Sequence, residues 1–568
     1  MSIRPSKPLK SSRWPARTIA ARADAKGVVA TDPEEVRPAS REETLPVALA
    51  AVLLSFIALF LCFSRGYLLL YGDAVAHLGI ARRILDSRNP GLIQLGGVWL
   101  PLPHLLILPF VQKLEWWQNG LAGAWLSLLC YIAGVAGFYR LSRLLLKPRW
   151  AIASTAFYAL NPNLLYLATT AMTEPPFLAL LIWITLLTVE CVAAIHAARQ
   201  AVVARRLILI AIFILAAVYT RYDGWVLGAA AWCVVTFALA RRRDVWRSVV
   251  PSFILFTLLV VAGPVSWLAY NQYFFHDPLD FIRGPYSAAA IEKKTAVPGS
   301  EHYHGWHSPF WALVYYTRAA QVDAAFWETG FLVIAAAIGG LMIAIRRRLA
   351  LAAIVLWIPL PFYVYSIAYG SVPIFIPQLW PHSYYNSRYG VEMLPALALF
   401  AVLAVQWFEG RWSESQPLAK RLMQPILLLL IALNTIGMMY RTPLVLKEAI
   451  INSTTRVGFE TALGRQLREL PAGATILMYN SDHVGALEYA GIPLRQTLNE
   501  GDYDSFHAAL AAPAEHAAYV VAIAGDPVSA AVIAHPEGLT EMTILCSTGQ
   551  PCARIYQSDH VASGAPKR

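Results

Sequence analysis

A polytopic α-helical membrane protein with a small C-terminal α/β domain is the fold class the sequence predicts, and three observations predict it. The 568 residues are 57% hydrophobic and only 14% charged, with mean hydropathy +0.50, too apolar for a globular chain in water. Apolar runs long enough to cross a bilayer recur between residues 45 and 440. From about residue 450 the pattern becomes mixed: a helix (Thr455 to Leu470), then short β-rich runs at 474–479, 518–523 and 542–546 separated by helical stretches.

Taken in order, residues 1–44 are rich in Arg, Lys, Pro and Ala without an apolar period, and read as a disordered basic cytoplasmic tail. The run Leu45 to Phe63 lacks a small-residue cleavage site and follows a long polar extension, so it reads as a retained anchor. About eleven spans can be drawn, at 45–63, 120–139, 150–168, 177–195, 205–220, 224–240, 249–270, 327–345, 349–369, 390–408 and 422–440. Alternate loops carry the basic clusters Arg140/Arg143/Lys147/Arg149, Arg199/Arg205/Arg206, Arg241/Arg242/Arg243/Arg247, Arg346/Arg347/Arg348 and Arg411/Lys420/Arg421. The positive-inside rule puts those loops and the N-terminus in the cytoplasm and residues 450–568 outside, across a cytoplasmic (inner) membrane. It also absorbs much of the formal charge of +11, which otherwise would suit a nucleic-acid partner. The α/β region has no GxGxxG or P-loop after its first strand and is assigned no nucleotide.

Six cysteines are present. Cys62, Cys130, Cys191 and Cys233 lie in apolar runs, while Cys546 and Cys552 form either a disulfide, if their domain faces an oxidising compartment, or two free thiols. The run Glu301/His302/His304/His307 is either a metal-ligand set or a solvated loop, and matches no strict template.

The candidate chemistry sits in the outside loops. Between spans one and two, Tyr71-Gly72-Asp73-Ala74-Val75-Ala76-His77 opens an amphipathic helix. Ala74, Leu78, Ala81 and Leu85 share one face, with Arg82, Arg83 and Asp86 opposite. Asp73 is either its N-terminal cap or a base for a nucleophile; His77 and Arg82 are supporting residues. In the next outside loop, Thr173-Glu174-Pro175-Pro176 places a second carboxylate at a span boundary, where a helix-start role competes with a catalytic one. Such a pair divides base and orienting duties or shares a divalent cation. Arg221 and Asp223, in Thr220-Arg221-Tyr222-Asp223-Gly224-Trp225, form either a satisfied ion pair or a phosphate clamp. Arg388 with Tyr389 poses the same choice, and His382 is a weaker phosphate contact.

These residues, with Arg388-Tyr-Gly-Val-Glu-Met-Leu-Pro395 opening a late span, resemble the GT-C superfamily of integral-membrane glycosyltransferases, nearest its bacterial relatives of protein O-mannosyltransferase and lipid A aminoarabinose transferase (glycosyltransferase family 39-like). The resemblance covers about 45–440, within the 45–445 stretch read as the catalytic membrane domain. It implies inverting transfer of a sugar from a polyprenyl-phosphate carrier to a protein, lipid or glycan acceptor at the outer face. Asp73 would then be the catalytic acid/base and Glu174 a second acid near the acceptor or an optional divalent cation. Arg221, Arg388, Tyr389 and His382 would bind the lipid phosphate. Two departures stand out: Ala74 follows Asp73 where the family often pairs two acids, and Glu174 stands where Asp is frequent. A secondary transporter is the rival from another class; it expects internal repeats and charges near mid-bilayer, whereas the acids here lie at outer span ends. A polymerase or ligase of envelope glycans would share the site chemistry.

Overall fold

The computed structural model describes residues 38–295, 302–348, 350–412 and 417–559. Residues 1–37, most of the expected tail, and Glu301 of the histidine run lie outside them. The first helix, α1 (Arg41–Ser64), begins four residues ahead of the apolar run. Ser40 and Glu43 form a capping box there, so the last residues of the expected tail are helical.

In chain order the helices that matter here are α2 (Gly72–Leu85), α3 (Leu102–Val111), α4 (Leu121–Arg143), α5 (Pro148–Ala159), α6 (Pro162–Leu167), α7 (Glu174–His196), α8 (Gln200–Val218), α9 (Asp223–Ala240), α10 (Arg243–Phe275), α11 (Pro309–Ala324), α12 (Thr329–Arg347), α13 (Pro359–Tyr369), α14 (Leu394–Trp412), α15 (Pro417–Tyr440), α16 (Leu444–Arg468) and α17 (Val484–Ala490). Among the described residues, ten helical runs are long and apolar enough to cross a membrane, and the protein is a multi-pass membrane protein.

The expected span at 150–168 is the exception. Pro162 lacks the N–H that a continuing helix would use and suits a first turn instead: α5 ends at Ala159, and α6 starts at Pro162 with Asn161 as its side-chain cap. The interrupted backbone is satisfied across the bundle: Tyr131 donates to the Ala159 carbonyl at 2.8 Å, and Asn161 donates to the Asp323 carbonyl at 2.7 Å. A broken helix inside a bundle is tolerated when neighbours supply such partners.

The C-terminal region forms a five-stranded sheet in the order β2-β1-β3-β5-β4. Its strands are β1 (Ile476–Met478), β2 (Thr497–Leu498), β3 (Tyr519–Ile523), β4 (Leu539–Ser547) and β5 (Gln550–Ser558). Strands β2, β1 and β3 pair in parallel, while β5 and β4 are antiparallel. Strands β1, β3 and β4 match the expected runs; β2 and β5 carry too little apolar alternation to be read. Cys546 and Cys552 are joined by a disulfide across the β4–β5 hairpin.

This region rests on the first long loop. Arg88 donates to the Thr497 carbonyl at 3.1 Å, Gln94 to Gly501 at 2.9 Å, and Arg495 pairs with Asp86 at 3.2 Å. The α2 helix is therefore covered on both sides. Ala74, Leu78 and Ala81 are buried as the pattern predicts, but Asp86 is buried too and Leu85 is 48% exposed. The face expected to be solvated is closed by α3 and the C-terminal region.

Candidate active site

The site is a network of ion pairs at the end of the bundle where α2, α7, α9 and the late spans meet. A 3-10 helix, Ser387–Met393, leads into α14. At three residues per turn, positions four apart point about 120° apart rather than the 40° of an α-helix. Arg388 and Glu392 are thereby aimed at different partners. The turn sits close against α11: a Cβ on Gly390 would lie 2.5 Å from both the Ala319 carbonyl carbon and an Asp323 carboxyl oxygen, so only glycine fits.

Arg388 gathers three acids from three segments. Its Nη2 reaches Asp73 Oδ2 at 2.5 Å, its Nε reaches Glu174 Oε1 at 3.0 Å, and its Nη1 reaches Glu448 Oε1 at 3.5 Å. Glu448, on α16, also accepts from the Ser387 hydroxyl and from its backbone N–H, the latter at 2.8 Å. Arg221 gathers a second set: Glu174 at 3.4 Å, Asp223 at 3.2 Å and Glu392 at 3.2 Å. It further donates to the Thr173 hydroxyl at 2.7 Å and the Tyr363 hydroxyl at 2.6 Å. Glu174 bridges the two guanidiniums, and the Tyr389 ring lies about 5 Å from each (4.9 Å from Arg388, 5.1 Å from Arg221).

Burial separates the members. Glu174, Asp223, Glu392 and Glu448 are essentially inaccessible, whereas the Asp73 side chain is 43% exposed. Asp73 is thus the acid of this network that a substrate can touch. Arg221 donates four hydrogen bonds within the network and adds an ion pair with Glu392 from Nη2, so most of its donor capacity is engaged. Arg388 donates one bond from each nitrogen, which by valence leaves two N–H groups not engaged among the described residues.

The structure brings the candidates Asp73, Glu174, Arg221, Asp223, Arg388 and Tyr389 into one cluster. His382 is not among them; its Nδ1 lies 2.9 Å from the Pro377 carbonyl oxygen in an exposed loop. Arg82 is not either: it pairs with Asp86 and donates to the Val111 carbonyl, tying α2 to α3. His77 packs against Trp99 and lies 2.8 Å from His104. Burial first, then Arg388 and Arg221, push its pKa down to about 3, so it is neutral across physiological pH.

A shared divalent cation does not fit the donor set. Asp73 and Glu174 meet through the Arg388 guanidinium, and among the described residues no group of three or more His, Cys, Asp or Glu could hold a metal ion. The histidines of the 301–307 run diverge onto aromatic partners: His302 stacks on Trp306 and His304 on Trp380, each at 4.6 Å.

Glu448, Glu392, Tyr363 and Thr173 were not singled out as site residues from sequence. Glu392 and Thr173 stood inside motifs that were noticed for other residues. Glu448 follows the last span without any local signal.

No protein-family model matches the chain, and no curated protein matches its sequence. Solved structures do match its fold. ArnT from Cupriavidus metallidurans bound to undecaprenyl phosphate aligns with a TM-score of 0.55 at 14% identity, covering 93% of this chain and 100% of that one. The same protein in the apo state aligns with a TM-score of 0.52 at 15% identity, covering 92% and 99%. At such identity the likeness is one of fold, and it is the GT-C-like fold expected from the sequence.

Proposed function

We propose that the protein is a membrane glycosyltransferase that moves a sugar from a polyprenyl-phosphate carrier to an acceptor at the outer face of the cytoplasmic membrane. The observation that carries this reading is Asp73: an accessible carboxylate fixed by a buried arginine, on a fold whose relative holds undecaprenyl phosphate. In this reading Asp73 accepts the proton of an acceptor hydroxyl or amine as that atom attacks the anomeric carbon opposite the phosphate. The anomeric C–O bond breaks, its electron pair leaves on polyprenyl phosphate, and the configuration inverts. The remaining N–H groups of Arg388 face the charge that develops on the leaving phosphate. Glu174, at 1% exposure, acts through the two arginines rather than on the acceptor, and Arg221 holds Glu174 and Glu392 in register.

Sidedness follows the same reading. Arg140 and Arg206 meet Glu190 at the far end of α7 from Glu174, and Arg149 meets Glu409, a basic end that suits a cytoplasmic face; the Cys546–Cys552 disulfide suits an oxidising compartment for residues 450–568. Membranes containing the protein and a labelled polyprenyl-phosphate sugar should yield labelled acceptor together with free polyprenyl phosphate. Solute uptake into proteoliposomes without any glycosylated product would overturn the reading in favour of a transporter.

A further inference from the structure

The transferase reading leaves the C-terminal region without a task, and the connector between α1 and α2 supplies one. Asp73 is the second residue of α2, and the N-cap of that helix, Tyr71, makes no side-chain capping bond. The backbone ahead of it is non-helical, so its carbonyls need partners from elsewhere. Arg456, on α16, supplies them: its Nη2 donates to the Leu69 carbonyl at 2.9 Å and to the Leu70 carbonyl at 3.0 Å. On its other side Nη1 pairs with Glu460 at 2.5 Å. Behind Glu460 stands Glu488 of α17, buried, with neither carboxyl oxygen hydrogen-bonded among the described residues. Burial and the charge of Glu460 hold the Glu488 carboxyl well above the usual carboxylate range. Glu460 is met by Arg456 and, at 3.9 Å, by His483 Nδ1. The same helix anchors the connector again where the Tyr71 hydroxyl donates to the Val445 carbonyl at 2.9 Å.

We infer that Arg456 is a positioning residue for sugar transfer, holding the two carbonyls ahead of Asp73 so that its carboxylate meets the acceptor in one fixed orientation. The C-terminal region, through Glu460 and α17, braces that arginine. The planar guanidinium spans two successive carbonyls and one carboxylate at once, which an ammonium group does only in part.

This inference rests on the transferase reading, and two measurements separate their fates. Arg456→Met should lower kcat for transfer about 10- to 100-fold, the range expected for a small misplacement of a catalytic group, with KM for the polyprenyl-phosphate sugar unchanged. Arg456→Lys should recover part of that loss. In an Asp73→Asn background, Arg456→Met should cost nothing further, because it acts through Asp73. Wild-type kcat in Arg456→Met, or an added loss in the double variant, would overturn the inference. Independently of any reaction, amide hydrogen exchange over residues 69–76 should speed up in both Arg456 variants of the full-length protein. Unchanged exchange would overturn the positioning role. Faster exchange in a protein whose wild type transfers no sugar would uphold that role and remove only the transferase reading.

Discussion

The two ends of the helix bundle both carry clustered ion pairs, partly exposed at the basic end and buried at the other, and they are built on opposite balances. At the basic end Glu190 lies between Arg206 at 2.7 Å and Arg140 at 3.8 Å, and Glu409 is met by Arg149 and by the Trp150 indole N–H at 2.9 Å. Each acid there has at least one guanidinium of its own. At the site end five carboxyl groups share two guanidiniums. The ends of α7 mark the contrast, since Glu174 and Glu190 lie about 24 Å apart at 1.5 Å per residue. A fold that needed only to close its helix ends would match charges as the basic end does. The acid excess, with one carboxylate left accessible, is what separates a reactive centre from a structural clasp.

The sharpest way to break that contrast is Asp73→Asn. It removes the accessible charge while keeping shape, and should lower transfer by about 10²–10⁴-fold, the usual worth of a general base, with expression and thermal stability unchanged. Undiminished transfer by Asp73→Asn membranes would reduce the cluster to a helix clasp like its counterpart. Next comes Arg388→Met. It takes the common counter-ion from Asp73, Glu174 and Glu448, leaving Glu174 only Arg221, and breaking a buried pair by removing one partner costs about 3–5 kcal/mol. Thermal unfolding in detergent should show that loss alongside lost activity. A variant that stays stable but inactive would recast Arg388 as purely a phosphate contact.

How much of this was legible from sequence divides along the same line. The spans are legible because hydropathy is a local property; the capping box at Ser40 is equally local, four residues long, yet the tail-like composition of 1–44 hid it. The break at Pro162 carried a local signal that the apolar run around it masked. The candidates Asp73, Glu174, Arg221 and Arg388 were found because outside loops are short of charge, which makes each charged residue conspicuous. Their pairing was not readable: Arg388 is 315 residues from Asp73 and 214 from Glu174, and nothing local encodes a contact across that distance. Glu448 and Arg456 were invisible for the same reason, lying in a helix whose polar composition reads as ordinary surface. Asp86 likewise pairs with Arg495, 409 residues away.

Two changes at the basic end sharpen the comparison from its other side. Glu409→Gln keeps an acceptor for the Trp150 indole but removes the ion pair with Arg149, whose side chain is 34% exposed. The expected cost is about 1–2 kcal/mol, that of weakening one charged hydrogen bond, with transfer unaltered in membranes. A loss of kcat there would mean that the two ends are coupled through α14, which joins Glu409 to the Ser387–Met393 turn.

The smallest effect should come from Arg206→Ala. Glu190 keeps Arg140 as a partner, and the arginine side chains are 25% and 35% exposed, so solvent screens much of what is lost. Partly exposed pairs of this kind are worth about 0–1 kcal/mol, a change at the edge of what an unfolding curve in detergent resolves. The value of the measurement lies in its ratio to Arg388→Met. Both variants delete one arginine from a cluster at an end of α7, but one leaves a carboxylate still paired and partly hydrated, while the other leaves three without their common counter-ion. A cost for Arg206→Ala near that of Arg388→Met would show that depth in the bundle, rather than the acid excess, governs the energetics of both clusters. A ratio of several-fold would assign the difference to charge balance, the property that sets the Asp73 end apart.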